Sequence, residues 1–344
     1  GLDQVAVNHA RQVSISRTVS HRVDDWAVTN QQKSGRCWLF AALNLIRADT
    51  RAVLGVKQFE FSQNHAMFWD KLERVNFFLT DVAATADRPV DDRVVAHLLA
   101  TVLGDGGQWD MAVNVFTKHG VVPKEVMPET ESSGNTAPMN RSLRTLLRKA
   151  ARALRDLVAS GASPQVVDVA REQVVADAYR ILATHLGTPP AEFDWSWRDD
   201  SGDFHRAGRL TPQEFYARFV RLPLDEYVCL VDDPRAEHPK GATLTIDHLG
   251  NVIGGRPIRY LNAPVALMKR AARDAITSGE PVWFGCDVSQ QLLRKEGLWA
   301  ADLLDYSGVY GVDLATRKED RVRYGDSLMT HAMLLTGVDV VEPA

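Results

Sequence analysis

The distribution of helix-like and strand-like patterns along the chain constrains its fold more than any other feature of the sequence. Before about residue 220, apolar residues mostly recur at helical spacing, most clearly over 140–186, with a break near Gly161–Pro164. After residue 220, glycine and proline separate short β-prone runs at 227–231, 242–246, 281–288 and 331–341. Helices followed by strands predict an α+β fold rather than a fold in which the two alternate.

The composition excludes several classes of function. The chain has 344 residues, of which 45% are apolar and 24% are charged, as in a globular protein. A net charge of −4 gives no overall field that favours nucleic acid or an anionic membrane surface. No stretch approaches the roughly 20 apolar residues that span a bilayer. Only three cysteines occur, so we expect a reducing, cytoplasmic location.

Other sequence signatures indicate no metal and no cofactor. No pair of cysteines or histidines has the spacing of metal ligands, and no phosphate-binding or dinucleotide-binding fingerprint occurs. Local patterns also predict two further elements, a helix capped by Ser62 and a helix over 108–118 that ends at Gly120. The run 129–138, ETESSGNTAP, is predicted to be a linker or an exposed loop.

Cys37 is the candidate nucleophile because of the residues around it. Residues 30–40 read NQQKSGRCWLF, and apolar residues at helical spacing begin directly after the cysteine. The thiol is therefore predicted on the first turn of a helix, where the helix dipole stabilises the reactive thiolate. Most unpaired cysteines are small buried apolar groups, which is the alternative. The neighbouring glutamine, glycine and tryptophan favour the nucleophile.

A cysteine nucleophile needs a base, and His331 is the best candidate among the ten histidines. It lies in MTHAMLLTGV, at the predicted start of an apolar strand, from which it can face a helix N-terminus across a cleft. A core histidine bound to backbone is the alternative, and only the pairing with Cys37 favours the base. Helical patterns predict structural or solvated roles for His65, His97 and His119, whereas three loop histidines stay open: His205, His238 and His248.

Gln31 suits an oxyanion hole. It lies six residues before Cys37, and its side-chain amide can join the Cys37 backbone N–H in stabilising a tetrahedral intermediate. Gln32 competes for this role, and an exposed loop glutamine is the alternative for both. Gly106 and Gly107 either let an extended substrate backbone approach closely or form a tight turn, and the local sequence does not decide between these.

Several segments spread over nearly the whole chain carry a resemblance to a known family. They are 30–42, 59–64, 68–73, 105–111, 119–124, 229–235, 254–257, 281–288 and 327–333. Together they resemble bleomycin hydrolase and aminopeptidase C, within the papain-like cysteine peptidases. The resemblance implies a two-lobed papain-like fold, with a helical lobe and a β-barrel-like lobe, and a helical insertion. The implied domains are an N-terminal arm at 1–34, a helical lobe with the nucleophile helix at 35–125, the insertion at 126–220 and a β-rich lobe at 221–344. The C-terminal strands are expected to be truncated.

The resemblance also implies the chemistry, which is removal of N-terminal residues from peptides through a thioester intermediate. Cys37 matches the nucleophile, His331 the base and Gln31 the oxyanion donor, while Cys229 and Cys286 match positions without a catalytic role. The family's third triad residue is an asparagine downstream of the histidine, and no asparagine follows His331 in this chain. Expected substrate-binding residues are Asp105, Gly106, Gly107, Trp38 and Thr330.

The expected partners are peptide substrates and, by the resemblance, further copies of the chain in a homohexamer. The alternatives are an inactive fragment and a nucleic-acid-binding oligomeric scaffold of the same fold. The second is supported by a stripe of five arginines along one face of the predicted helix, hereafter the arginine stripe: Arg141, Arg144, Arg148, Arg152 and Arg155. A solvated face or a channel lining is favoured for this stripe because the net charge is negative.

Overall fold

The chain is described by a computed structural model that covers residues 1–23 and 26–341. Residues 24, 25 and 342–344, which belong to the predicted arm and β-rich lobe, lie outside the described residues. The described chain divides into two compact units. The larger unit comprises residues 26–229 and 245–260, and the smaller unit comprises residues 1–23, 230–244 and 261–341.

Helices dominate the first two thirds of the described chain, and most of them belong to the larger unit. In chain order the α-helices are α1 Leu2–Ala6, α2 His9–Ser14, α3 Cys37–Leu54, α4 Gln63–Ala84, α5 Arg93–Ala100, α6 Trp109–His119, α7 Glu131–Gly134, α8 Ala137–Ala159, α9 Pro164–Leu186, α10 Pro212–Phe219, α11 Val265–Thr277, α12 Tyr306–Tyr310 and α13 Lys318–Arg323.

The strands are short, and most of them follow residue 220. They are β1 His21–Arg22, β2 Phe193–Arg198, β3 Phe204–Leu210, β4 Cys229–Val231, β5 Thr243–Leu244, β6 Tyr260–Asn262, β7 Val282–Cys286, β8 Leu292–Leu293, β9 Leu298–Trp299, β10 His331–Leu335 and β11 Gly337–Val338. Antiparallel pairs join β1 to β11, β2 to β3, β7 to β10 and β8 to β9. In a three-stranded sheet, β6 lies between β4 and β5. Helices and short sheets in this order form the predicted α+β fold.

The long helices of the larger unit form where their patterns predict them. The Ser62 hydroxyl caps α4 by accepting the His65 backbone N–H at 3.0 Å. Helix α6 ends at Gly120, whose φ of 68° lies in the left-handed region that favours glycine. The predicted break between α8 and α9 is also present. These helices pack against α4, and the apolar face of α8 is buried along Leu143, Leu147, Ala150 and Leu154.

Two parts of the larger unit differ from the predictions. The segment 129–138 is not a linker or an exposed loop, because it contains α7 and buries Ser133, Gly134 and Thr136. A reciprocal capping box between Thr130 and Ser133 starts this short helix, so polar residues that indicate a loop serve as caps here. The predicted helical insertion also contains the β2–β3 hairpin, in which Trp195 and Trp197 alternate with polar residues.

The smaller unit incorporates the first part of the predicted N-terminal arm, residues 1–23, whereas the described rest of the arm belongs to the larger unit. Ala6 packs with four buried leucines, and Val7 forms a β-bridge with Leu304. Helix α11 packs against β1, β11 and β7. In the β7–β10 ladder, His331 lies directly opposite Cys286. The ladder therefore fixes the backbone of the predicted base.

Burial of a histidine in α4 makes the stability of the larger unit depend on pH. His65 is 1% exposed and its Nε2 accepts the Trp69 Nε1–H at 3.1 Å. Burial first, and then the charge of His119, lower the pKa of His65 from 6.5 to about 3. The unfolded chain therefore binds the proton between these two values, so the stabilisation present above pH 6.5 declines as the pH falls towards 3.

When the pH falls from about 7 to about 5, we expect the free energy of unfolding of the wild-type chain to decrease by about 2 kcal/mol more than that of the His65→Gln variant. Glutamine keeps an acceptor for Trp69 but does not titrate. The measurement is urea unfolding of both chains at the two pH values, read by tryptophan fluorescence. Equal losses in the two chains would contradict the assigned role of His65.

Candidate active site

Cys37 is the first residue of α3, as its sequence pattern predicts, and its side chain is half-buried. The next residues of the helix are buried: Trp38, Leu39, Phe40, Ala41 and Ala42. These consecutive buried side chains anchor the helix, so its first turn is held in place from the second residue onward. A half-buried thiol at that position is open to a reactant while its backbone is fixed.

Trp38 supports the nucleophile from behind rather than facing a substrate. Its side chain is fully buried, and its Nε1–H donates to the Asp105 carbonyl oxygen at 2.7 Å. The Arg74 guanidinium lies over the ring, 5.4 Å from its centroid. A Cβ at Gly107 would lie 2.6 Å from the indole, so only glycine fits against it. These contacts give Trp38 and Gly107 a packing role, whereas no atom lies within 4 Å of the Cβ position at Gly106.

Asp105 is the centre of a buried polar cluster. Its carboxylate accepts hydrogen bonds from Lys71, Thr136 and Asn140, and also from the Gly35 backbone N–H at 3.2 Å. Burial alone would raise its pKa, but the charge and hydrogen bond of Lys71, with Thr136 and Asn140, hold the pKa well below its usual range. The carboxylate is thus ionised and engaged internally, which favours positioning the Gly35 loop over the predicted contact with substrate.

Arg36 precedes the nucleophile and is 1% exposed. Its Nη1 and Nη2 donate to the two carboxylate oxygens of Glu129 at 2.9 and 2.7 Å, a bidentate ion pair. Its Nε donates to the Ser34 hydroxyl at 2.9 Å, and its guanidinium carbon lies 5.0 Å from the Phe40 ring centroid. The sequence interpretation missed this pair, although an arginine beside a buried helix start signals a need for an acidic partner.

The two candidate oxyanion glutamines differ in their surroundings. The backbone carbonyl of Gln31 accepts the Ser34 hydroxyl at 2.6 Å, and its side chain is half-buried. Gln32 is exposed, has a φ of 53°, and its amide lies against Gly134. The left-handed backbone of Gln32 directs its amide towards Gly134 of α7, so this side chain is engaged there. This geometry favours Gln31 over Gln32 as the oxyanion donor.

His331 and Thr330 lie in the smaller unit, at the start of β10. The Thr330 hydroxyl accepts the Val288 N–H at 3.1 Å, and its N–H donates to the Cys286 carbonyl at 3.0 Å. The His331 side chain is half-buried. Burial first, and then the charge of Arg294, lower the pKa of His331, which favours the neutral imidazole that can accept a proton.

Four further histidines have carboxylate partners. The ring nitrogens of His119, His205, His238 and His248 lie between 2.7 and 3.1 Å from the carboxylates of Glu73, Asp199, Asp233 and Asp81, respectively. These pairs give the loop histidines a role that the sequence left open. His97 is exposed on α5.

The other two cysteines are poor nucleophiles. Burial first, and then Asp110, raise the pKa of Cys229 to about 12. Burial first, and then Asp287, raise the pKa of Cys286 to about 11. Both thiols stay protonated near neutral pH, so neither supplies a thiolate. The three cysteines, all within the described residues, form no disulfide.

The arginine stripe of α8 is largely used within the larger unit. Arg144 donates to the Leu103 carbonyl at 3.0 Å, Arg148 to the Leu99 carbonyl at 3.3 Å, and Arg155 to the Thr85 carbonyl at 2.9 Å. Leu99 lies in the last turn of α5 and Thr85 directly follows α4, so two of these arginines bind helix ends. The stripe therefore stabilises the unit, and the nucleic-acid alternative gains no support from it.

Two general features of the described residues bear on function. None of their helices combines the length and apolar character that crossing a membrane requires. Their histidine, cysteine and acidic side chains form no group of three or more arranged to hold a metal ion.

Comparisons with known proteins agree on one family. The model of the Peptidase C1-like family matches residues 1–343. Aminopeptidase C of Listeria monocytogenes is 42% identical over 342 residues, which cover 99% of this chain and 76% of the relative. Bleomycin hydrolase of Gallus gallus is 41% identical over 316 residues, which cover 90% of this chain and 70% of the relative. The crystal structure of PepW from Lactobacillus rhamnosis is similar, with a TM-score of 0.97 and 44% identity over 99% of this chain and 77% of that one.

Proposed function

The chain belongs to the Peptidase C1-like family and is a cysteine peptidase with aminopeptidase function, and from this premise we propose that Cys37, His331 and Gln31 carry the reaction. The observation that carries the proposal is the position of Cys37. It is a half-buried thiol at the first residue of a helix whose following residues are buried. The raised pKa values of the other two cysteines support the same choice.

The proposed mechanism is acyl transfer in two steps. The His331 imidazole takes the thiol proton, and the Cys37 sulfur attacks the carbonyl carbon of the first peptide bond. The side-chain amide of Gln31 and the Cys37 N–H stabilise the oxyanion, and the protonated imidazole gives its proton to the leaving amine. A water molecule, activated by the neutral imidazole, then hydrolyses the thioester and releases the N-terminal amino acid.

Finer features follow from the resemblance and remain part of the proposal. We infer a papain-like arrangement of the domains at 1–34, 35–125, 126–220 and 221–344, and a homohexamer in a cytoplasmic location. Few cysteines support a reducing compartment. For the substrate, we propose that Gly106 offers open backbone, because nothing apart from its chain neighbours lies within 4 Å of its Cβ position.

Paired reporters test the aminopeptidase function. One is an aminoacyl coumarylamide with a free α-amine, and the other is the same compound with the amine acetylated. We expect cleavage of the free-amine reporter to exceed cleavage of the blocked one by at least about a hundredfold, because an aminopeptidase acts on a residue whose α-amine is free and the acetyl group adds bulk at that end of the substrate. Cleavage of both at equal rates would contradict the aminopeptidase assignment, and cleavage of neither would favour the inactive-fragment alternative.

A further inference from the structure

We propose that the part-buried ion pair of Arg36 and Glu129 is a positioning device that holds Gln31 in place through the Ser34 hydroxyl. This inference rests on the proposed role of Gln31 as the oxyanion donor. Glu129, Arg36, Ser34 and the Gln31 backbone form a continuous chain of hydrogen bonds, hereafter the Glu129 relay. None of the first three residues touches the reacting atoms in the proposed mechanism, so they are positioning residues.

Contacts with Glu129 and Phe40 fix the orientation of the Arg36 guanidinium. Both oxygens of Glu129 accept from it, and the Glu129 Oε2 also accepts the Ser133 hydroxyl at 2.7 Å. Phe40 packs against the guanidinium from α3. A planar guanidinium that is bound through two nitrogens has little freedom to rotate, so its remaining Nε–H points in one direction.

Hydrogen-bond chemistry then sets the direction of the Ser34 hydroxyl. The Arg36 Nε can only donate, so the Ser34 oxygen is the acceptor at 2.9 Å. The single Ser34 proton is therefore left for the Gln31 carbonyl, which accepts it at 2.6 Å. Ser34 is 9% exposed, which limits competition from water. The relay thus ties the backbone that carries the oxyanion glutamine to a rigid buried charge.

The relay also joins Gln31 to the nucleophile. Arg36 is the N-cap residue of α3, directly before Cys37. Arg36 therefore contacts the start of the nucleophile helix through its backbone carbonyl, which accepts the Phe40 N–H at 3.0 Å, and holds the oxyanion loop through its side chain. Because a buried ion pair adds little stability compared with apolar residues of the same size, geometry at the site is the better explanation for placing one here.

A double-mutant cycle on Ser34 and Gln31 tests the relay. The variants are Ser34→Ala, Gln31→Ala and the double variant, and the measurement is kcat and KM on the free-amine reporter. We expect Ser34→Ala to lower kcat about tenfold with KM nearly unchanged. A displaced oxyanion donor reduces the stabilisation of the transition state without changing the binding of the substrate. In the Gln31→Ala background, the same change should lower kcat less than about twofold.

Matched variants separate positioning from a general loss of structure. Ser132→Ala removes a part-buried serine hydrogen bond outside the relay, between the Ser132 hydroxyl on helix α7 and His185 Nδ1 at 2.8 Å. It is expected to leave kcat unchanged in both backgrounds. Ser34→Thr retains the hydroxyl and should recover most of the wild-type kcat. Glu129→Gln removes the charge at the other end and should also show the non-additive pattern.

The outcomes distinguish failure of the relay from failure of the proposed function. A normal kcat in Gln31→Ala would overturn the oxyanion role itself. A reduced kcat in Gln31→Ala with equal Ser34→Ala effects in both backgrounds would overturn only the relay. Thermal unfolding of each variant identifies any that fail to fold. If Ser34→Ala does not fold, the cycle with Glu129→Gln decides, and additive effects in that cycle overturn the relay.

Discussion

The Cys37→Ala variant is expected to lose at least about four orders of magnitude in kcat/KM on the free-amine reporter, because it lacks the only atom proposed to form the thioester. Alanine preserves the helix start and has the highest helix propensity, so the fold should be unaffected. The measurement is steady-state hydrolysis, with thermal unfolding to confirm that the variant is folded.

The same substitution at Cys229 is the matched control. Cys229 is a partly buried thiol of the same unit, with a pKa raised to about 12, so its removal should leave hydrolysis unchanged. Retained activity in Cys37→Ala, or its loss only in Cys229→Ala, would contradict the assignment of the nucleophile.

The His331→Ala variant is expected to lose about three orders of magnitude in kcat/KM, because both proton transfers of the proposed mechanism pass through its imidazole. It should also slow alkylation of Cys37 by iodoacetamide at neutral pH, since the thiol then keeps its proton.

His97 provides the control for this substitution. It is exposed on α5, so His97→Ala should change neither hydrolysis nor alkylation. A His331→Ala variant that hydrolyses the reporter normally would show that another group supplies the base.

Local patterns account for what the sequence predicted well. Four features depend only on residues within one or two helical turns. They are the cap at Ser62, the end of α6 at Gly120, the break at residues 160–163 and the start of α3 at Cys37. In α8, the apolar face is buried as its spacing predicts. These signals act over short distances along the chain, so no knowledge of the tertiary structure is needed to interpret them.

Contacts between distant residues account for what the sequence did not predict. Arg36 and Glu129 are 93 residues apart, and Asp105 lies 70 residues from Gly35. Nothing in the local pattern shows that Glu129 lies in a buried cluster rather than a linker. The composition of 129–138 indicates a loop, but tertiary contacts bury Ser133, Gly134 and Thr136.

Side-chain direction at the site was equally beyond the local pattern. Trp38 and Asp105 were expected to bind substrate because they lie in segments that resemble a peptidase. Their side chains instead turn inward, where Trp38 is fully buried and the Asp105 carboxylate accepts from Lys71, Thr136 and Asn140. Trp38 and Asp105 thus support the nucleophile from the interior of the larger unit, and the substrate contacts stay a proposal.

Direct detection of the acyl-enzyme tests the central proposal, that Cys37 is the nucleophile. The free-amine ester of an amino acid is mixed with the wild-type chain, the reaction is quenched in acid within milliseconds, and the digested peptides are analysed by mass spectrometry. We predict an aminoacyl adduct on the peptide that contains Cys37, absent from Cys37→Ala and retained in Cys229→Ala. An adduct on a different residue, or hydrolysis that continues in Cys37→Ala without any adduct, would contradict it.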